Sequence, residues 1–220
     1  MDNALEVFKR LKTVYPDAHC ELIHHNSFEL LVATILSAQC TDVRVNIVTP
    51  PLFKRFPTPQ KLAKADLAII EDLIKSVNFY KNKSKNIIAC AQDLIKNHQG
   101  EVPRTVEELS ELPGVGRKTA NVVLGNAFQI NTGIVVDTQV KRTSYLLGLT
   151  KETDPAKIEI DLMKIFPKET WTDLSHLLIF LGRRTCIARR PQCDLCSLKD
   201  ICPAKGKVFE EKAKVLRGTK

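Results

Sequence analysis

Leu112-Pro113-Gly114-Val115-Gly116-Arg117-Lys118-Thr119-Ala120 is the stretch on which the reading of this chain turns. Pro113 and two closely spaced glycines mark a tight turn, because glycine accepts positive φ and lets backbone approach a ligand. Upstream, Thr105-Val106-Glu107-Glu108-Leu109 predicts a short helix, with Thr105 as N-cap and Glu108 three residues on, as in a capping box. Downstream, Ala120, Val123, Leu124 and Ala127 recur at helical spacing, so a second helix starts near Arg117. Lys118 falls in its first turn. Unpaired N–H groups and partial positive charge gather there, which favours a bound phosphate at Gly114 and Gly116 and disfavours an ammonium. The same field would leave Lys118 a nucleophilic amine. A plain helical corner with a solvated lysine is the competing account.

Further along, Asp137-Thr138 opens another helix, for which Asp137 is an N-cap candidate. Cys186, Cys193, Cys196 and Cys202 then follow as C-x6-C-x2-C-x5-C within 17 residues. Thiolates this close can surround one metal centre, zinc or iron–sulfur. With only one short Cys pair, the spacing leans toward iron–sulfur. Cys20, Cys40 and Cys90 stand alone and read as small core residues.

The 220 residues can bury a real core. A net charge of +8 points to polyanionic partners, nucleic acid or an anionic membrane surface. Residues 183–220 hold 11 Lys/Arg and 4 Asp/Glu, so most of the excess lies there. No segment approaches the ~18 consecutive apolar residues of a membrane-spanning helix. Met1-Asp2-Asn3 does not open a signal pattern, and an intracellular, thiol-reducing location is expected.

The rest of the chain reads as nearly all helix, about ten in number with short connections. A first amphipathic helix, 3–14, sets Leu5, Phe8 and Leu11 on adjoining turns. From Asn26 or Ser27, Phe28, Leu31, Val32, Ile35 and Leu36 form one buried stripe, with Leu30 and Ala33 apolar between them. Thr41-Asp42 caps a helix through Val48 that Pro50-Pro51 interrupts or bends. Pro57 and Pro59 make a linker. Asp66 caps a helix with Leu67, Ile70, Leu73, Ile74 and Val77 on one face. Over 81–97, Ile87, Ala91, Leu94 and Ile95 point inward and several lysines outward. Ile130 to Val136 is strand-like by propensity but lacks a partner, so a buried loop is expected. Helices follow from Thr138 to Leu147, over 155–166 and over 171–184.

The hairpin, Val136-Asp137-Thr138 and the cysteine loop, in this order and with Phe28-Glu29-Leu30-Leu31 and Leu36-Ser37-Ala38-Gln39 before them, resemble the endonuclease III family of DNA glycosylases. The resemblance covers nearly the whole chain. It implies an all-α helix–hairpin–helix DNA glycosylase fold. A six-helix barrel (20–130, hairpin at 105–126) would face an iron–sulfur cluster domain (1–19 and 131–211), with a basic tail at 212–220. DNA would lie across the cleft between them. It implies a [4Fe-4S] cluster on the four cysteines, Lys118 as nucleophile and Asp137 as the essential carboxylate. The implied activity is that of a bifunctional glycosylase and abasic-site lyase acting on oxidised pyrimidines. A flipped-out base leaves a hole in the stack. The family pattern places Gln39 to fill it and Phe79 as an inserting wedge, with core packing the other account of Phe79. Gly114, Gly116, Arg189 and Arg190 would meet the DNA backbone. The expected partner is double-stranded DNA carrying a damaged base or abasic site, bound by a monomer in the cytoplasm, with no membrane involved.

Three positions depart from the pattern: Gln139 where His is usual, Asn78 where Gly is usual, and Cys40 where a small residue is usual. An adenine-specific mismatch glycosylase would want Ser at Lys118 and a Glu where Ala33 stands. A non-enzymatic DNA-binding module would need no paired Lys and Asp. An iron–sulfur electron carrier would not need so much helical scaffold.

Overall fold

The computed structural model describes residues 2–206, among which there are eleven α-helices and no strand. They are α1 (Asp2–Val14), α2 (Ser27–Ser37), α3 (Asp42–Arg55), α4 (Pro59–Leu62), α5 (Leu67–Ile74), α6 (Tyr80–His98), α7 (Val106–Glu111), α8 (Arg117–Ala127), α9 (Thr138–Leu146), α10 (Pro155–Ile165) and α11 (Trp171–Phe180). A π-helical turn, Leu181–Thr185, continues α11. The basic tail expected at 212–220 lies outside the described residues. No described helix is long and apolar enough to cross a membrane. The chain divides into two compact units, Cys20–Thr132 and the paired segments Met1–His19 and Gly133–Lys220.

In the first unit α2 is the central element. Every residue from Phe28 to Leu36 is buried, and the helix packs against α3, α6 and α8. An 11-residue helix whose only polar residues are Ser27, Glu29, Thr34 and Ser37 is stable only when surrounded this way, each fully buried Leu or Ile contributing about 1.5–3 kcal/mol. Its start is doubly fixed. Asn26 Oδ1 accepts from the Glu29 N–H at 2.9 Å, and the buried Glu29 carboxylate accepts from the His25 backbone at 2.8 Å. α4 and α5 pack on α6, and α7 on α8.

In the second unit α11 packs against α1 and α9. Val7, Leu11, Val140, Leu162, Leu174, Leu177, Leu178 and Phe180 form its core. The segment 130–136 is indeed irregular, with Ile134 and Val136 buried.

Several expectations are corrected. α3 runs unbroken through Pro50 and Pro51. The N–H groups lost there would have paired with the carbonyls of Asn46 and Ile47, and Ile47 is exposed, so solvent can hydrate that side. The stretch after Pro57 is not all linker, since Thr58 caps the short α4. On α1 the inward face is Ala4, Val7 and Leu11, while Leu5 is 45% exposed. On α6 Ile95 faces outward, against expectation; Lys81, Lys85 and Lys96 are exposed as expected, but Lys83 is buried.

Candidate functional site

The hairpin joins α7 to α8. Thr105 Oγ1 accepts from the Glu108 N–H at 3.2 Å and donates to Glu108 Oε2 at 2.6 Å, so the Glu answers the cap through the hydroxyl. Buried Leu112 and Val115 anchor the turn, which closes with Val115 N–H donating to the Leu112 carbonyl at 3.1 Å. Gly114 has φ of +81°, and a Cβ there would lie 3.0 Å from Asn86 Cβ, so the backbone requires glycine. Gly116 differs from expectation. Its backbone is extended (φ −106°, ψ 175°), and a Cβ would meet nothing within 4 Å. Packing within the protein therefore does not demand glycine there. Gly116 is the N-cap of α8 and supplies no side-chain bond, so an anion can take that role. Lys118 is exposed in the first turn of this helix.

Asp137 is the N-cap of α9. Its Oδ1 accepts from the backbone N–H groups of Gln139 and Val140, each at 2.8 Å. The side chain is half-buried, its orientation set by these two bonds. Gln139 Oε1 accepts from Arg142 Nη2 at 2.9 Å; Arg142 also donates to the Gly182 carbonyl at 3.1 Å and lies 3.5 Å from Cys186 Sγ.

Cys186, Cys193, Cys196 and Cys202 line one open pocket, walled further by Leu146, Leu147 and Leu181. The π-helical turn delivers the first of them, with Cys186 N–H donating to the Leu181 carbonyl at 2.7 Å. Tight turns set the others: Cys196 N–H to the Cys193 carbonyl at 3.3 Å and Cys202 N–H to the Leu198 carbonyl at 2.8 Å. Burial pushes the thiols of Cys186, Cys196 and Cys202 up, with Arg142 opposing it at Cys186. Ionising such sulfurs calls for the charge of a bound metal. Four soft donors around one apolar pocket fit an iron–sulfur cluster. Among the described residues no group of three His, Cys, Asp or Glu is arranged to hold a single metal ion. Of the remaining cysteines Cys90 is buried in the core, its thiol pushed up to about 12 by burial, while Cys20 and Cys40 are half-buried at the core's edge and pack against it.

Two further loops carry candidate side chains. Gln39, just beyond α2, and Phe79, the N-cap of α6, both have left-handed backbone, φ +53° and +58°. Each such non-glycine residue costs on the order of 1–2 kcal/mol. Phe79 is 63% exposed, which rules out core packing as its role. Asn78 Nδ2 donates to the Gln39 carbonyl at 2.7 Å. Lys83 reaches the same segment from below, donating to the carbonyls of Leu36 at 2.8 Å and Ala38 at 2.5 Å. Its ammonium thereby closes the C-terminal end of α2. Burial pulls its pKa below the ordinary lysine value, with Cys40 nearby opposing. Sequence reading missed Lys83 and Arg142, since long cationic side chains normally face water. Arg189 and Arg190 are both exposed in the loop between Cys186 and Cys193.

Comparison with known proteins agrees with this arrangement. Residues 32–168 match the HhH-GPD superfamily base excision DNA repair protein model, and residues 186–202 the iron-sulfur binding domain of endonuclease III. Endonuclease III from Synechocystis sp. is 52% identical over 201 residues, 91% of this chain and 92% of that one. A non-covalent endonuclease III–DNA complex superposes with a TM-score of 0.87 at 46% identity, covering 92% of this chain and 95% of that one. A trapped endonuclease III–DNA covalent intermediate gives the same TM-score at 45% identity, covering 93% and 96%. The cluster-domain match spans all four cysteines of the pocket, and the cofactor is a [4Fe-4S] cluster. Fold, hairpin and cysteine domain together make this chain a member of the endonuclease III family of HhH-GPD base excision DNA repair proteins.

Proposed function

We propose that this enzyme, a DNA glycosylase and abasic-site lyase of base excision repair, removes oxidised pyrimidines from duplex DNA with Lys118 as its nucleophile. The observation that carries the reading is the position of Lys118, exposed in the first turn of a helix whose N-terminus has no side-chain cap. Phosphate bound by the N–H groups around Gly114 and Gly116 would bring a flanking sugar within reach of the amine. That a relative was trapped as a covalent DNA intermediate supports an enzyme nucleophile of this kind.

The Lys118 amine attacks C1′ and the damaged base leaves with the electrons of the glycosidic bond. Loss of the sugar ring oxygen from C1′ gives an iminium between Lys118 and the opened sugar. The iminium draws electrons from C2′, a C2′ proton departs, and the 3′ phosphate is eliminated. Hydrolysis then frees Lys118. Asp137, oriented by its two cap bonds, is assigned as the carboxylate that stabilises the positive charge developing on the sugar and accepts protons during the reaction. Gln39 fills the space left by the extruded nucleotide, Phe79 wedges the stack open, and Arg189 and Arg190 meet backbone phosphates.

Cys186, Cys193, Cys196 and Cys202, all half-buried, would hold the [4Fe-4S] cluster, whose iron would supply the positive charge that thiolate ligands answer. We assign residues 20–130 to the barrel domain, with the hairpin at 105–126, and 1–19 with 131–211 to the cluster domain. The protein acts as a monomer in the cytoplasm, on the bacterial nucleoid if the source is bacterial.

Borohydride reduction on a duplex containing thymine glycol tests the assignment. The wild type becomes covalently linked to DNA, and Lys118→Ala binds the duplex without cross-linking. Equal trapping by Lys118→Ala would remove Lys118 as nucleophile. Wild-type binding without trapping would favour a DNA-binding module instead.

A further inference from the structure

Asn78 sits between the two side chains assigned to the DNA helix interior, and its hydrogen bond joins their loops. The Asn78 Nδ2 donates to the Gln39 carbonyl at 2.7 Å, across 39 residues of sequence. The next residue is Phe79. Gln39 and Phe79 each hold the left-handed backbone that non-glycine residues avoid, so each aims its side chain only while its loop is restrained. From the protein side the Gln39 segment is restrained by Lys83 through the carbonyls of Leu36 and Ala38, and by the Cys40 N–H donating to the Ser37 carbonyl at 3.0 Å. None of these bonds reaches the carbonyl of Gln39 itself. Asn78 does.

We propose that Asn78 is a positioning residue that locks the Gln39 and Phe79 loops into one unit. Through Gln39 it sets how strongly excision depends on the base opposite the lesion. The proposal rests on the reading of Gln39 and Phe79 as DNA-inserting residues. In the free protein Asn78 is exposed, and water competes for the bond. DNA laid over the loops excludes that water and strengthens it. The contribution of Asn78 therefore falls on the DNA complex and leaves the stability of the free fold nearly unchanged.

The test measures single-turnover excision of thymine glycol placed opposite each of the four bases. It compares the wild type with Asn78→Ala, Asn78→Asp, Gln39→Ala and the Asn78→Ala/Gln39→Ala double variant. Asp has the shape of Asn but no N–H to donate, and sets a carboxylate against the Gln39 carbonyl. A role limited to filling space would leave Asp like the wild type. The expected result is a melting temperature unchanged in Asn78→Ala and a spread of rates across opposite bases narrowed at least about threefold in both Asn78 variants. The double variant has the profile of Gln39→Ala alone, because one residue acts through the other. A wild-type profile in Asn78→Asp, or additive losses in the double variant, would overturn the role of Asn78 alone. A wild-type profile in Gln39→Ala would overturn the DNA reading of Gln39 and the Asn78 role with it.

Discussion

Asp137 Oδ1 accepts the backbone N–H of Val140 at 2.8 Å, so the carboxylate assigned to chemistry is also the N-cap of α9. Both cap bonds fall on Oδ1, with Gln139 supplying the second at 2.8 Å. The two roles separate by substitution, because Asn caps a helix as well as Asp but carries no charge. Asp137→Asn is expected to unfold at nearly the wild-type temperature while excision falls at least about 100-fold. Asp137→Ala loses the cap as well, about 1 kcal/mol, or roughly 2–4 °C in melting temperature. Paired thermal unfolding and single-turnover excision distinguish these outcomes. Near wild-type excision by Asp137→Asn would reduce Asp137 to a cap.

The two hairpin glycines should fail in opposite ways. Gly114→Ala meets a φ of +81° and Asn86 Cβ at 3.0 Å, so it destabilises by about 1–3 kcal/mol. Gly116→Ser meets nothing, and its hydroxyl can supply the cap that α8 lacks. A gain of a few tenths of a kcal/mol follows. The added atoms would occupy the space where a DNA phosphate approaches, so duplex affinity drops while melting temperature rises slightly. Calorimetry together with fluorescence anisotropy at one fixed salt concentration checks both. Undiminished duplex binding by Gly116→Ser would mean that DNA does not press against that residue.

What could be read from the chain depends on how far apart the interacting residues lie. Thr105 with Glu108, the apolar stripe of α2 and the four clustered cysteines are local patterns, and each appears as expected. The Asn78–Gln39 bond, the Lys83 contact with Leu36 across 47 residues and the Arg142 contact with Cys186 across 44 are settled by tertiary packing. No helical period encodes them. On α1 the buried position fell to the smaller Ala4 and not to Leu5, a choice made by which face of the helix meets the core. Gly116 shows a different limit. Of the two reasons read for its glycine, positive φ and close approach to a ligand, the extended backbone removes the first, and the open space beside it leaves room for the second.

Stability should depend on pH through His176. Burial lowers its pKa from 6.5 to about 4; Asp173 opposes that shift, while His19 and Lys12 add to it. Between those values the unfolded chain binds a proton that the folded chain refuses, so the stabilisation is complete above pH 6.5 and lost as pH falls toward 4. The whole effect is roughly 3 kcal/mol, of which about 2 is gone by pH 5. Urea unfolding at pH 7.5 and pH 5.0 measures it. His176→Gln should flatten the difference; an equally steep loss in that variant would assign the dependence to other groups.

Removing one pocket cysteine should release the cluster and loosen only the segment that depends on it. Residues 186–202 are held by isolated turns, such as Cys196 N–H to the Cys193 carbonyl, by the buried Leu198, and by Arg10, which donates to the Ser197 carbonyl at 3.0 Å and to Asp200 at 2.6 Å. Little apolar area compensates for a lost metal centre there. Cys202→Ala is therefore expected to bind substantially less iron than wild type, lose the brown absorption, and become cleavable by protease between Cys186 and Cys202. The Cys20–Thr132 unit has its own core around α2 and should stay protected. Cys90→Ala serves as the control. It removes a buried thiol outside the pocket, lowers stability through a small cavity, and keeps full iron content. Iron analysis, visible absorption and limited proteolysis with mass spectrometry report the three effects separately. Full iron retention in Cys202→Ala would exclude that sulfur as a ligand.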